Sequence, residues 1–350
     1  MIFDPTRIER ELSEIMMRSS PTEARASLLN LVVFSTSVSK AQADAMLDAV
    51  LGKRAARVIH ITRTDDSESR LSISARCYLD RSNRSVCLQE VVITNGHDGI
   101  GGAVSSWAPL LIRDIPAYVV WLDTICSDDR LSSDVLELAD TLICDSEAAL
   151  RNGEDGRQLI SRLAALTHDE NLALCDIAWR RVLPLCSVTA SCFDSPSLRQ
   201  QIESISEVVL AGSPPAFAAL YLAWFGSRIG LRRRYENRDS RDRRTIGCRT
   251  PAEGGRTWEL RAAAGRAVRL SHRQPGPIED GILVTVLFGG NAELRIRASS
   301  GGCAEVESGE DLSTQILQYP SDGDTLLGEI DGMRRDHIYT ETVQSLDTFM

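Results

Sequence analysis

Aromatic residues make up only 5% of this 350-residue chain, and several signatures of chemistry are missing from it altogether. There is no Cys-x-x-Cys pair and no Cys/His cluster at zinc spacing, which argues against a metal or disulfide framework. There is no G-x-x-x-x-G-K-S/T, so no P-loop, and no G-x-S-x-G nucleophile elbow. The nearest approach to a dinucleotide fingerprint is the loop Gly96–Ala103, GHDGIGGA, where G-x-G-x-x-G would need glycine at 104 and Val104 stands instead. No apolar run is long enough to cross a bilayer, so no membrane association is expected. The opening MIFDPTRIERELSEIMM carries acidic residues where a secretory leader has a basic segment and an apolar core, and a cytoplasmic protein is expected. Positive charge is also short: the net charge is −10, which disfavours phosphate backbones and makes nucleic acid an improbable partner outside a local basic patch.

With 43% hydrophobic and 25% charged residues, the composition is that of a soluble globular protein, and the length suits two domains. The N-terminal half alternates buried strands and helices. SLLNLVVFS (Ser27–Ser35), RVIHITR (Arg57–Arg63), AYVVWL (Ala117–Leu122) and TLICDS (Thr141–Ser146) read as strands covered on both faces, the last of these closing the sheet. RLSISARCYLD and VCLQEVVITN, joined by a short polar turn, read as an antiparallel pair. Ile8, Leu12 and Ile15 share one face of an N-terminal helix that starts at Asp4-Pro5. Helices are also expected over Gly99–Leu111 and over residues 156–172. Pro116 lacks an N–H and belongs at the first residue of a strand.

The C-terminal half reads differently. DIAWRRVLPL is expected to be helical until Pro184 ends or kinks it, and PPAFAALYLAWFGSRIG to be a long apolar helix. TWELRAA, AVRLSHR, GILVTVLF, AELRIRA and CAEVES predict an antiparallel meander, with DLSTQILQY and DHIYTETVQSLDTF as closing helices. The fold class is therefore α/β: a mixed, mostly parallel three-layer N-terminal domain over residues 1–172, then an α+β domain over 173–350.

Candidate sites follow from placement. Asp123 and Asp145 emerge at the C-terminal ends of buried strands, where open α/β sheets hold ligands, and Ser146 adjoins them. With the Gly96–Ala103 loop they form a candidate crevice for an enzyme or a small-molecule sensor. Asp145-Ser146-Glu147 also reads as a loop followed by a helix cap. The five histidines are scattered, and His60, inside an apolar strand, is expected to be a core residue. No triad is legible. Cys186 and Cys192 are near enough in sequence to raise a redox-sensitive pair. The stretch Ser227–Arg249 carries nine arginines against Glu236, Asp239 and Asp242, a local +6 that leaves −16 for the rest. It would suit an anionic ligand, RNA or an acidic protein surface, or else be a solvated linker.

Several segments in order resemble one family. They are NLVV (Asn30–Val33), Arg57, CLQEVVI (Cys87–Ile93), PLLIRDIPAYVVW (Pro109–Trp121), LICDS (Leu142–Ser146), DIAWRRVLP (Asp176–Pro184), AWFGSRIGL (Ala223–Leu231) and RRDHIYTETV (Arg334–Val343). Together they resemble the OpcA family of glucose-6-phosphate dehydrogenase assembly proteins. Leu122 stands where the family has a second tryptophan. The resemblance implies a non-catalytic role, with glucose-6-phosphate dehydrogenase as partner, in assembling or allosterically activating that enzyme, and so in the oxidative pentose phosphate pathway and NADPH supply. It implies no cofactor, no metal and no catalytic residue. Trp179 and Arg181 match the family's motif. With Arg180, and with Arg232, Arg233 and Arg234 of the basic stretch, they are the partner-binding candidates. A purely structural role for Trp179 is the competing expectation.

Overall fold

A computed structural model describes residues 4–19, 27–51, 53–79, 85–96, 103–124, 130–231, 256–261, 266–273, 281–332 and 335–349. In chain order the N-terminal half contains α1 (Pro5–Ser19), β1 (Leu29–Thr36), α2 (Lys40–Val50), β2 (Ala56–Arg63), β3 (Arg70–Leu79) and β4 (Ser85–Asn95). It continues with α3 (Val104–Trp107), β5 (Ala117–Trp121), α4 (Arg130–Leu138), β6 (Thr141–Cys144), α5 (Ser146–Arg151), α6 (Gly156–Leu166) and β7 (Ala173–Asp176). Then come α7 (Ile177–Cys192), α8 (Pro196–Gln201), β8 (Ile205–Ala211), α9 (Pro215–Arg228), β9 (Arg256–Arg261) and β10 (Ala267–Arg273). The chain closes with β11 (Ile282–Phe288), β12 (Glu293–Ala298), β13 (Cys303–Ser308), β14 (Asp311–Ile316), α10 (Asp322–Gly332) and α11 (His337–Phe349).

The chain forms two compact units. The first gathers Met1–Glu154, Ala165–Ile177 and Pro320–Arg335; the second gathers Asp155–Ala164, Ala178–Tyr319 and Asp336–Met350.

The first unit is built on a sheet of order β3-β4-β2-β1-β5-β6-β7. All neighbours pair in parallel except β3 and β4, the antiparallel pair expected from their alternating polarity. Strand alternation divides the core into two faces. Leu29, Leu31, Val33, Val58 and Val120 pack with Met46 and Leu47 of α2 and with Leu326 and Ile330 of α10. On the other face Phe34 stacks on Trp121, centroids 4.7 Å apart, and meets Trp107 of α3 edge-on at 5.7 Å. Gly323 lets α10 lie against α2, since a Cβ there would come within 2.4 Å of the Ala49 methyl.

Within Pro109–Asp123, Leu110 and Ala117–Leu122 are buried, while the turn at Arg113 and Asp114 is exposed, and the segment's fixing residues explain its shape. The Asn30 amide donates to the Ile112 carbonyl and accepts from the Ile112 N–H, both at 2.9 Å. Asp114 takes a positive φ of 65°, tolerable for aspartate, and turns the chain into Pro116. The Ala117 N–H then donates to Asp140 at 2.7 Å, which starts β5. Arg57, 5% exposed, donates to Glu9 at 2.5 Å, to Gln89 at 2.6 Å and to the Leu110 carbonyl at 2.8 Å. One planar guanidinium thus ties α1, β4 and the turn after α3 to the sheet, a geometry that lysine cannot supply.

The second unit has a sheet of order β14-β13-β12-β11-β8-β10-β9, antiparallel at every pair except β8 with β10. One face carries Val208, Leu210, Leu270, Val284, Val286, Leu294, Ile296 and Val306, all buried. Helix α9 is apolar all round and buried from Ala216 to Gly226 except at Ala219, as a helix enclosed by its own unit must be. Its Tyr221 hydroxyl bonds Thr189 of α7 at 2.7 Å. Gly212, at φ +79°, sits where a Cβ would fall 2.2 Å from the Gly281 carbonyl oxygen, so the turn from β8 to α9 requires glycine.

Two expectations are corrected and two others are narrowed. TLIC is followed in the sheet by a seventh strand, β7, paired in parallel with β6. DLSTQI forms β14, because the alternation of Leu312, Thr314 and Ile316 fits the ladder beside β13. Of the helix expected over Gly99–Leu111, residues 99–102 lie outside the described residues, and the described part is Val104–Trp107 followed by a 3-10 turn that contains Pro109. Of the two outcomes expected at Pro184, an end or a kink, the end does not occur: α7 runs through it to Cys192.

Candidate functional site

The order β4-β2-β1-β5-β6-β7 places a topological switch point between β1 and β5, the position at which doubly wound sheets open a ligand crevice. Here the loop after β1 is tied to itself and an ion pair stands beside it. The Ser39 Oγ accepts from the Thr36 N–H at 2.9 Å, and the Thr36 Oγ1 accepts from the Ser39 N–H at 3.3 Å. Glycine, which lets a phosphate approach the backbone, is absent from the connection Ser35-Thr36-Ser37-Val38-Ser39. Arg63, at the end of β2, is ion-paired with Asp123, just past β5, so the pair spans the end of β1 lying between them.

The two carboxylates singled out from sequence have separate structural duties. Asp123 binds Arg63 and also accepts from the Thr124 N–H at 2.7 Å. Asp145, 1% exposed, caps α5 by accepting from the Ala148 N–H at 3.2 Å and accepts from the Gln42 amide at 2.9 Å. The same amide nitrogen donates to Asp322 at 2.8 Å, so Gln42 holds the entry to α10 beside Asp145. The Ser146 N–H donates to the buried Asp176 at 3.0 Å, while the Ser146 Oγ is buried without a hydrogen-bond partner. Residues 97–102 of the glycine-rich loop lie outside the described residues. Among the described residues no group of three or more His, Cys, Asp or Glu side chains is arranged to hold a metal ion.

Sequence reasoning missed a polar cluster on the α2 side of this edge. The Ser35 Oγ lies 2.9 Å from His60 Nε2 and 3.0 Å from Thr62 Oγ1, and His60 Nδ1 lies 3.8 Å from Asp44. The signal was the register: Ser35 pairs with Thr62, two residues from His60 on the same strand face. The residue types are those of a hydrolase triad, but a nucleophile must reach its substrate. Ser35 and His60 are 1% and 2% exposed, and Lys40 holds Asp44 at 2.5 Å. Burial lowers the His60 pKa, partly offset by the Asp44 charge. The cluster is a satisfied buried network.

In the second unit the partner-binding candidates fall into three groups. Trp179 is 1% exposed and packs on Tyr339 of α11, centroids 6.0 Å apart. Its indole N–H donates to Asp336 at 2.9 Å, and Arg180 donates to the same carboxylate oxygen at 3.2 Å. The other Asp336 oxygen accepts from the Tyr339 N–H at 2.9 Å and so caps α11. Arg180 and Arg181 are half-buried on α7. Arg232, Arg233 and Arg234, with most of the basic stretch, lie outside the described residues; Arg228, at its start, is ion-paired with Glu341.

Cys186 and Cys192 are free thiols in one helix. Six residues of helical rise separate them by about 9 Å along the axis, too far for a disulfide. Burial pushes both thiols up, Cys192 to about 11, so neither is an activated thiolate. A disulfide between these two thiols within the helix is excluded, and both are buried as core residues.

Comparison with known proteins covers most of the chain. Residues 48–163 match a family described as the glucose-6-phosphate dehydrogenase subunit N-terminal domain, and residues 172–343 match its C-terminal domain. A protein named "Putative OxPP cycle protein OpcA" from Synechocystis sp. is 27% identical over 191 residues, 52% of this chain and 38% of that protein. One of the same name from Nostoc punctiforme is 26% identical over 172 residues, 47% of this chain and 35% of that protein. The matched stretches therefore span little more than a third of those relatives. Among solved structures, a 3-ketoreductase from Actinomadura kijaniata in complex with NADP covers 91% of this chain and 95% of its own, at 11% identity and a TM-score of 0.47.

Proposed function

This chain belongs to the OpcA family of glucose-6-phosphate dehydrogenase subunit domains, assigned to the oxidative pentose phosphate cycle, and we propose that it is a non-catalytic assembly factor and allosteric activator of that dehydrogenase. The observation that carries the proposal is the match of both family domains, in order, across residues 48–343. The loop after β1 supports it: it has no glycine to let a phosphate approach the backbone, Thr36 and Ser39 bond each other, and Arg63 and Asp123 pair beside it. The alternative of a ligand crevice at Asp123 and Asp145 is weaker, because both carboxylates are engaged in capping and ion pairing.

Activation by a protein requires that it bind one state of the enzyme more tightly than the others. A tenfold shift between states needs about 1.4 kcal/mol of differential binding, and the enzyme's substrates must then affect the affinity for this protein reciprocally. Arg180 and Arg181 of α7, with Arg232, Arg233 and Arg234, are the proposed contacts, since arginine is enriched among residues that dominate interface energies. Trp179 would act indirectly, by fixing Asp336 and through it Arg180. The setting would be the cytoplasm; among the described residues no helix is long and apolar enough to cross a membrane.

The test is kinetic. NADPH formation by the dehydrogenase of the same organism is followed at fixed enzyme and rising concentrations of this protein. A saturable rise in rate is expected, weakened in Arg180→Ala/Arg181→Ala. A rate unchanged at micromolar concentrations of this protein would refute activation.

A further inference from the structure

The last strand of the second sheet stands at its edge. β14 pairs with β13 on one side, and among the described residues no strand pairs with its other side. Natural sheets blunt such edges with lysine, proline, a bulge or a covering element, because unpaired N–H and C=O groups recruit other strands. None of those residues occurs in Asp311-Leu312-Ser313-Thr314-Gln315-Ile316, and no register shift interrupts its pairing with β13. Leu312 is 72% and Ile316 81% exposed, the most exposed aliphatic side chains among the described residues of the second unit.

The register fixes which backbone groups point outward. The Leu317 N–H donates to the Gly302 carbonyl at 2.8 Å, continuing the ladder in which Ile316 faces Cys303 and Ser308 faces Asp311. Hydrogen-bonded pairs alternate with non-bonded ones in an antiparallel ladder. Gln315, Ser313 and Asp311 therefore bond β13, whereas Leu312, Thr314 and Ile316 turn their N–H and C=O groups to the free edge. The outward-facing backbone and the exposed side chains belong to the same three residues.

We propose that β14 pairs antiparallel with β14 of a second copy of this chain, about a two-fold axis through Thr314. That register sets Thr314 against Thr314 of the other copy and Leu312 against its Ile316. Each of the three outward-facing residues then exchanges hydrogen bonds with its counterpart. The apolar Leu–Ile pair recurs on both sides of the axis, and no charged residue of β14 faces a like charge. Self-complementarity of this kind is what a two-fold interface requires, and it closes at two copies instead of growing into a filament. The strand centre is uncharged: Asp311 lies at its start, and Glu305 and Glu307 stand one strand back on β13. An interface confined to strand edges buries less than the roughly 1,600 Å² of a standard complex, so a dissociation constant in or above the micromolar range is expected.

The experiment is sedimentation of the full chain at about 1 to 200 µM, concentrations that bracket a micromolar dissociation constant. The mass is expected to rise from that of one chain towards two with increasing concentration. Thr314→Pro removes only an outward N–H, so the β13 ladder is kept, and it should weaken association at least tenfold. Leu312→Lys/Ile316→Lys should do the same through charge at exposed positions, with unchanged circular dichroism in both variants. A single-chain mass throughout the range would overturn the proposal. So would a dimer that both variants leave intact, since a different surface or a different segment would then be responsible.

Discussion

Asp336 carries several duties at once, and their separate costs can be worked out. Replacing it with alanine removes the cap of α11, worth about 1 kcal/mol. It also leaves the Trp179 indole N–H buried without an acceptor, worth about 1–3 kcal/mol. The Arg180 contact is partly exposed to solvent and adds about 0.5 kcal/mol. These terms share one side chain and do not sum strictly, so a total of about 2–4 kcal/mol is expected. Because the chain has two units, a single global unfolding energy would mix them. Amide hydrogen exchange in α11 reads the local loss directly. Asp336→Ala should speed exchange there by about 30- to 700-fold, at 1.4 kcal/mol per tenfold. Asp336→Asn should fall between, because its one carbonyl oxygen can serve the cap or the indole but not both. Protection in α11 equal to that of the parent protein in Asp336→Ala would refute the assignment of Asp336 as the residue that holds this helix.

Four other outcomes are expected. Arg57→Met should destabilise the first unit by about 2–4 kcal/mol by orphaning the Leu110 carbonyl and releasing Glu9 of α1, and Arg57→Lys should recover little; proteolysis of α1 reports it. His60 is neutral in the fold and its pKa is lowered by burial, so the stability it contributes is complete above its unfolded value near 6.5 and lost as pH falls below it. The urea midpoint of the parent protein should therefore drop more steeply between pH 7 and 5 than that of His60→Gln. Gly212→Ala should prevent proper folding of the second unit, because φ is +79° and the backbone of Gly281 blocks the Cβ. Gly153→Ala, at φ +90° in open space, should cost only about 1 kcal/mol in thermal unfolding.

Much of the first unit was legible because its signals are local and periodic. β1, β2, β5 and β6 are near-continuous apolar runs, and the alternating polarity of β3 marked its antiparallel place. β7 escaped notice because four residues, ALCD, run directly into a helix with no turn residue between them. β14 was read as a helix because its identity depends on a partner strand, which local pattern does not report. The site residues were harder. Asp123 and Asp145 were correctly placed at strand ends, yet their roles depend on Arg63 and Gln42, which are 60 and 103 residues away in sequence. The Trp179–Asp336 contact joins residues 157 apart. No spacing rule connects such pairs; only the assembled fold does.

The central claim is a physical complex with glucose-6-phosphate dehydrogenase, and the most direct measurement is the mass of a mixture. The dehydrogenase from the same organism and this full chain are combined at micromolar concentrations and passed through size exclusion with multi-angle light scattering. A co-eluting species containing both chains, with the enzyme in a larger or more uniform oligomer than alone, is the expected result. Two independent peaks at the masses of the separate proteins, with and without the enzyme's substrates, would contradict it.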